Sequence, residues 1–289
     1  MLTTIPEEEF LQLCEGVSEA NATKRNFNWT TMLKWSNTRD RINQYMSTTN
    51  TKYIGSGSSR TAYYLPQGKY GTNKLETPAC FKVANNVKGV AQNKLEIKTL
   101  KTFGTDEWPC FPYLYDWDNK KKLFMLCEVG TNIYKGKIEK TYLDKWLDFS
   151  EPYYKKNINK KLEENLRHYF GKYSTEELFY PGEMYDIFRS FGENVETLIN
   201  LKKSKKSDKK EVFEFIISFL DALAENNPKY NGITTTIKFC IDHPKEIAAG
   251  DFESSENWAF VKRGKEYVAI PIDWGFNEEI WNKYYKNRW

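Results

Sequence analysis

Tyr53-Ile54-Gly55-Ser56-Gly57-Ser58-Ser59-Arg60-Thr61-Ala62-Tyr63 is the stretch on which the reading of this chain turns. Apolar and β-branched residues flank a Gly-Ser turn, the pattern of a strand, a tight turn and a returning strand. Such a hairpin, with no side chains at its glycines, lets the backbone come close to phosphate oxygens. An ordinary Gly-Ser hairpin has the same pattern, so the neighbouring segments must decide.

The next informative run is Ala79-Cys80-Phe81-Lys82-Val83-Ala84. Alternation along a strand sends Lys82 to the face opposite Phe81 and Val83. A lysine on a core-facing position needs an anion, because burying an unpaired ammonium costs several kcal/mol. Glu96, on the helix expected over Val90–Phe103, is one candidate; the other reading has Lys82 reaching water and Glu96 on the surface.

Further strands are expected over Thr61–Leu65 and Leu123–Val129. Helices are expected at Tyr142–Trp146, Leu162–Phe170, Met184–Leu201 and Glu211–Asn226. Residues 1–50 read as helical, with Trp29, Met32 and Leu33, then Ile42, Tyr45 and Met46, at i, i+3, i+4 spacing. Lys202 to Lys210 lacks apolar residues and is expected to be a solvated loop between helices, with a patch for phosphate or an acidic partner as its rival reading. Trp258–Val261 and Tyr267–Ile272 flank a basic turn and read as a β-hairpin.

Composition bounds the function. The 289 residues are 40% hydrophobic and 16% aromatic, which excludes a disordered chain, and a net charge of +4 permits nucleic-acid binding without requiring it. The tail aromatics Trp281, Tyr284, Tyr285 and Trp289 alternate with basic residues, but a C-terminal helix packed on the core accounts for them more simply than base stacking does. Five scattered cysteines with no C-x-x-C pair, and only His168 and His243, argue for free thiols rather than zinc or disulfides. The N-terminus is acidic where a signal peptide is basic, and Phe215 to Ala224 is too short to span a bilayer. The expected location is the cytoplasm, with no membrane association.

The ordered set of glycine turn, strand lysine, helix glutamate and Leu126-Cys127-Glu128-Val129-Gly130 resembles the N-lobe of the protein-kinase-like fold. Its flavour is that of the serine/threonine kinase-like proteins of lytic bacteriophages, through Ile54-Gly55-Ser56-Gly57, Thr61-Ala62-Tyr63 and Gly89-Val90-Ala91-Gln92-Asn93. The resemblance implies an α+β, two-lobed architecture: a helical extension over 1–50, a small antiparallel-sheet lobe over 51–130, and a reduced, mainly helical lobe over 131–289. It also implies ATP and Mg²⁺ as cofactors. Gly55, Ser56, Gly57, Ser58 and Lys82 would meet the phosphates, and Cys127 would stand as gatekeeper. Glu128 to Gly130 would hold adenine, with Glu128 and Gly130 as binding residues.

A second resemblance covers about residues 249–276. Ala249-Gly250-Asp251 through Asn257, then a hairpin, then Asp273-Trp274-Gly275, follows the order of a kinase catalytic loop and its metal-binding aspartate. Asn257 and Asp273 are the implied metal ligands, and Asp251 the implied catalytic base beside Lys82 and Glu96. Departures are plain: Arg60 replaces the third glycine, and Ala249-Gly250 replaces His-Arg. Asp251 also lies six residues before Asn257 rather than five. Either the loop bulges, with Asp251 or Glu253 as base, or no catalytic aspartate exists. Fourteen residues follow Gly275, and no activation segment is expected within them. The expected function is phosphate transfer to a host protein; the alternative is a catalytically inactive pseudokinase that binds or inhibits one.

Overall fold

Ala79–Ala84 is apolar at every position except Lys82, and it becomes the buried central strand of a five-stranded sheet. The computed structural model describes residues 42, 45–46, 51–70, 73–104, 108–132, 136–246, 257–263 and 266–286. Its strands in chain order are β1 (Lys52–Ser56), β2 (Arg60–Leu65), β3 (Gly68–Tyr70), β4 (Asn73–Leu75) and β5 (Ala79–Ala84). Helix α1 (Val87–Phe103) follows, then β6 (Leu114–Trp117) and β7 (Phe124–Glu128). The sheet order is β1-β2-β5-β7-β6, antiparallel throughout, with β3 and β4 forming a separate small hairpin.

These elements belong to the first of two compact units, which takes in residues up to Thr102, Pro112–Val129 and the chain from Glu279 onward. Its core is aromatic. Tyr45 packs against Phe81, Phe124 and Tyr70, with ring centroids 5.1, 5.9 and 5.8 Å away. The expected Ile42, Tyr45, Met46 stripe is helical, and Ile42 and Tyr45 are buried against the sheet. The other expected N-terminal helices, including the Trp29, Met32, Leu33 set, lie outside the described residues.

The second unit comprises Phe103–Phe111 and Gly130–Glu278. It contains β8 (Thr131–Asn132), α2 (Gly136–Asn157), α3 (Lys160–Phe170), α4 (Lys172–Phe179), α5 (Met184–Lys203) and α6 (Ser207–Asn226). A 3₁₀ turn (Pro228–Tyr230), α7 (Asn231–Asp242), β9 (Trp258–Arg263) and β10 (Glu266–Pro271) complete it. A three-stranded antiparallel sheet of order β10-β9-β8 packs against helices. Trp258 stacks on Phe188 at 4.3 Å, and the fully buried Trp146 donates its indole N–H to Leu178 O at 3.0 Å, as a buried indole must.

Two sequence expectations are corrected here. Lys202 to Lys210 is not one loop: α5 runs through Lys203 and α6 starts at Ser207, leaving only residues 204–206 between them. The physical reason is helix polarity, since Lys202 and Lys203 complete the C-terminal turn of α5 and Asp208 sits in the first turn of α6. The C-terminal helix α8 (Glu278–Tyr284) buries Ile280, while Trp281 keeps 39% of its surface exposed and stacks on Tyr285. The predicted aromatic stripe is therefore not its buried face. Among the described residues, no helix is long and apolar enough to cross a membrane.

One buried lysine has a measurable consequence. Lys229 Nζ donates to Thr141 O at 3.1 Å and lies 4.9 Å from the ring centres of Tyr142 and Tyr230. Burial holds its pKa down to about 8 from the ordinary 10.5. Between those two values the unfolded chain binds the proton that the folded chain has released, so the contribution of Lys229 to stability becomes more favourable as pH rises through this window. Below about 8 its cost is present in full. Chemical denaturation of wild type and Lys229→Met from pH 7.5 to 10.5 should show the gap between them shifting toward wild type, whereas parallel curves would contradict the assignment.

Candidate functional site

The glycine hairpin, the strand lysine and the helix glutamate come together in the first unit. Lys82 Nζ lies 2.6 Å from Glu96 Oε1, with the glutamate side chain fully buried and that of the lysine only 9% exposed. Strand β5 presents Lys82 on the face that α1 covers, and the structure thereby decides for the pair over the solvent-reaching reading, which the sequence had left open. A second cation shares the carboxylate: Arg60 Nη1 bonds Glu96 Oε2 and lies 3.4 Å from Asn93 Oδ1. Sequence reasoning had treated Arg60 only as a departure from a glycine. The structure places it at the start of β2, opposite Ala84 and so on the face of the sheet that carries Lys82.

The hairpin itself is formed as expected, with Gly57 N donating to Arg60 O at 2.9 Å across the turn. It is fastened to the corner between β5 and α1. Asn85 N donates to Ser59 O at 2.8 Å, and Asn86 Nδ2 to Ser58 O at 2.8 Å. Thr61 Oγ1 donates to Asn85 Oδ1 at 2.9 Å and is 3.0 Å from Ser56 Oγ, while Ser59 Oγ donates to Gln92 Oε1 on α1. Asn86 Oδ1 also accepts from Lys88 N and Gly89 N, capping the helix. Gly89 is required by this approach, because a Cβ there would lie 2.0 Å from Ser59 O.

Gly55 and Gly57 differ from Gly89. A Cβ at either would meet no atom within 4 Å, and neither has the positive φ that favours glycine. Among the described residues, no contact demands glycine at these two positions. Gly55→Ala and Gly57→Ala should leave stability within about 1 kcal/mol of wild type, or raise it by restricting the unfolded chain. If the hairpin covers phosphates, the same variants should weaken nucleotide binding, as isothermal titration would show. A large loss of stability with intact binding would reverse this assignment.

At the other end of β7, Glu128 N donates to Tyr113 O at 2.8 Å, and the Glu128 carboxylate accepts from Tyr113 N at 3.3 Å. Gly130 has a packing reason of its own, since a Cβ there would lie 2.3 Å from Ala259 Cβ. Cys127, the expected gatekeeper, is buried and stands directly opposite Cys80. A hydrogen bond from Cys127 holds the Cys80 pKa below that of an ordinary thiol, against its burial and with help from Lys82. The same hydrogen bond, with burial, pushes Cys127 well up.

In the second unit, the β9–β10 hairpin brings Asn257 and Asp273 to one end. Trp258 pairs with Pro271, and Ile272 N donates to Asn257 O at 2.8 Å, so Asp273 follows one residue beyond that bond. Asp273 Oδ1 accepts from Gly275 N at 3.1 Å, a local turn that fixes the carboxylate. Trp274 anchors the turn: it is fully buried, donates to Pro271 O at 2.9 Å and lies 4.2 Å from the Phe111 ring. Asp251 and Glu253 lie outside the described residues. Among the described residues, no group of three or more His, Cys, Asp or Glu side chains is arranged to hold a metal ion. A site built on Asn257 and Asp273 would therefore rely on substrate and water oxygens for its remaining ligands, as magnesium commonly does. No protein-family model matches the chain, and no curated protein matches it.

Proposed function

We propose that this chain is an ATP- and Mg²⁺-dependent phosphotransferase of protein-kinase-like fold, of the kind encoded by lytic bacteriophages, acting on a host protein. The observation that carries the reading is the buried Lys82–Glu96 pair at 2.6 Å beside a hairpin at whose two glycines no contact among the described residues demands glycine. Lys82 lies on the third strand in chain order once the small β3–β4 hairpin is set aside, and Glu96 on the helix that follows. Those are the places that the lysine and glutamate of a kinase occupy.

In this reading Lys82 meets the α- and β-phosphates and Glu96 keeps the ammonium extended toward them. Residues 55–58 cover the phosphates with main-chain N–H groups other than that of Gly57, which donates to Arg60 O. Adenine is held by main-chain groups of residues 128–130 other than the Glu128 N–H, which donates to Tyr113. Asn257 and Asp273 would hold magnesium, which would neutralise charge on the phosphate oxygens. Asp251 receives the proton of the acceptor hydroxyl, with Glu253 as the other carboxylate in that loop.

The competing reading, a pseudokinase that binds or inhibits a host protein, also has a specific observation behind it. Arg60 competes with Lys82 for the single Glu96 carboxylate, and the glycine hairpin is tied to α1 by side chains that a mobile phosphate cover does not need. Both readings predict nucleotide recognition through Lys82. Thermal denaturation with and without Mg-ATP tests this. A nucleotide at a hundredfold excess over Kd should stabilise the fold by about 2.7 kcal/mol, and Lys82→Met and Asp273→Ala should abolish the shift. No shift at millimolar Mg-ATP, or an unchanged shift in both variants, would overturn the proposal.

A further inference from the structure

Two thiols on neighbouring strands face each other beside the charged cluster, and neither takes part in the proposed phosphate chemistry. In the β5–β7 ladder Cys80 stands directly opposite Cys127, and both are free and buried. Cys80 is two residues from Lys82 and therefore on the same face of β5. Directly opposed residues of an antiparallel pair have Cβ atoms about 4.5–5.5 Å apart, and a disulfide requires about 3.5–4.5 Å. The closing movement is thus on the order of an ångström and needs no change of register. The other described cysteines, Cys110 and Cys240, belong to the second unit.

We propose that Cys80 and Cys127 form an oxidisable dithiol that a hydroperoxide converts into a cross-strand disulfide. Cys80 reacts first, because it retains 9% of its surface against 1% for Cys127, and because Lys82 and the Cys127 thiol both favour its thiolate. The Cys80 thiolate attacks a peroxide oxygen, the O–O bond breaks, and hydroxide (or alkoxide) leaves, giving a sulfenic acid at Cys80. The Cys127 sulfur then attacks the Cys80 sulfur and the S–O bond breaks. Water departs with the proton that Cys127 loses. Two thiols lose two electrons and two protons overall, and hydrogen peroxide is reduced to two waters. The bond ties the middle of the sheet together next to Lys82. This inference does not depend on nucleotide binding.

The test uses the full chain. Reduced protein is exposed to hydrogen peroxide, the residual oxidant is removed, and the thiols are alkylated in denaturant and mapped by peptide mass spectrometry. The expected result is a fall in free thiols from five to three, a peptide cross-link between Cys80 and Cys127, and full recovery on adding dithiothreitol. Cys14→Ala should retain the cross-link, which excludes pairing through Cys14. Cys80 recovered unmodified, or overoxidised to sulfinic acid while Cys127 remains a thiol, would overturn the proposal. So would a cross-link from Cys80 to any other cysteine. Because the mapping is done on the native sequence, the outcome does not rest on whether a cysteine variant folds.

Discussion

Replacing Glu96 with glutamine should destabilise the first unit by about 3–5 kcal/mol, the cost of breaking a buried ion pair by removing one partner. The reason is the sharing seen at this carboxylate. Lys82 and Arg60 both end on Glu96, and the glutamate side chain is fully buried. Its neutralisation deprives two buried cations of the same counter-charge, and the amide cannot accept on both sides as the carboxylate does. Lys82→Met should cost less, because Arg60 still satisfies Glu96 and a methionine fills similar space. A double-mutant cycle between Lys82→Met and Glu96→Gln should show coupling above about 0.5 kcal/mol. Urea denaturation of the three variants measures both quantities. Glu96→Gln within about 0.5 kcal/mol of wild type, or strict additivity of the pair, would show that the carboxylate is not the keystone of this cluster.

The second large effect concerns transfer itself. If Asp251 receives the acceptor proton, Asp251→Asn should slow phosphate transfer by roughly 10²- to 10⁴-fold and leave nucleotide affinity unchanged, because a base acts in the transition state. Labelled ATP offered with the protein alone, with host lysate proteins and with small metabolites gives the readout. Asp273→Asn, by contrast, should reduce nucleotide binding and transfer together. Turnover that survives Asp251→Asn would move the base to Glu253. Clear binding with no transfer by wild type would assign the chain to the pseudokinase reading, and the search would then turn to a host partner.

How much of this was legible in the sequence follows from how local each signal is. Strand β5 was read with its exact ends because a six-residue apolar run interrupted by one lysine has few alternatives. Helices α1, α3, α5 and α6 were placed to within a few residues by apolar periodicity; α4 and α7 were not expected, and of α2 only Tyr142–Trp146 was seen. Its remaining turns carry Lys, Asp, Glu and Pro152 rather than a clean stripe. The hairpin β3–β4 was missed because its six residues contain two lysines and an asparagine and pair only with each other.

At the candidate site, Lys82 and Glu96 were found because a buried charge implies a partner, which is a physical demand that sequence can express. Arg60 was missed because the family pattern offered a ready label for that position, and the label displaced the question of where its guanidinium goes. The fastening of the hairpin by Asn85, Asn86 and Gln92 was invisible for another reason. Each is a polar residue at a loop or helix position where solvent exposure is the default, and only the fold shows that their amides face the turn.

That fastening makes the glycine hairpin, the Asn85–Asn86 corner and the first turns of α1 a single bracket. In a free flap, the tip would swing while the helix stayed still. Here the carbonyls of Ser58 and Ser59 are gripped by the corner, Ser59 is bonded to the helix, and Glu96 lies one turn beyond Gln92. A load applied at the tip would therefore reach the first turns of α1, one turn before the carboxylate that Lys82 and Arg60 share.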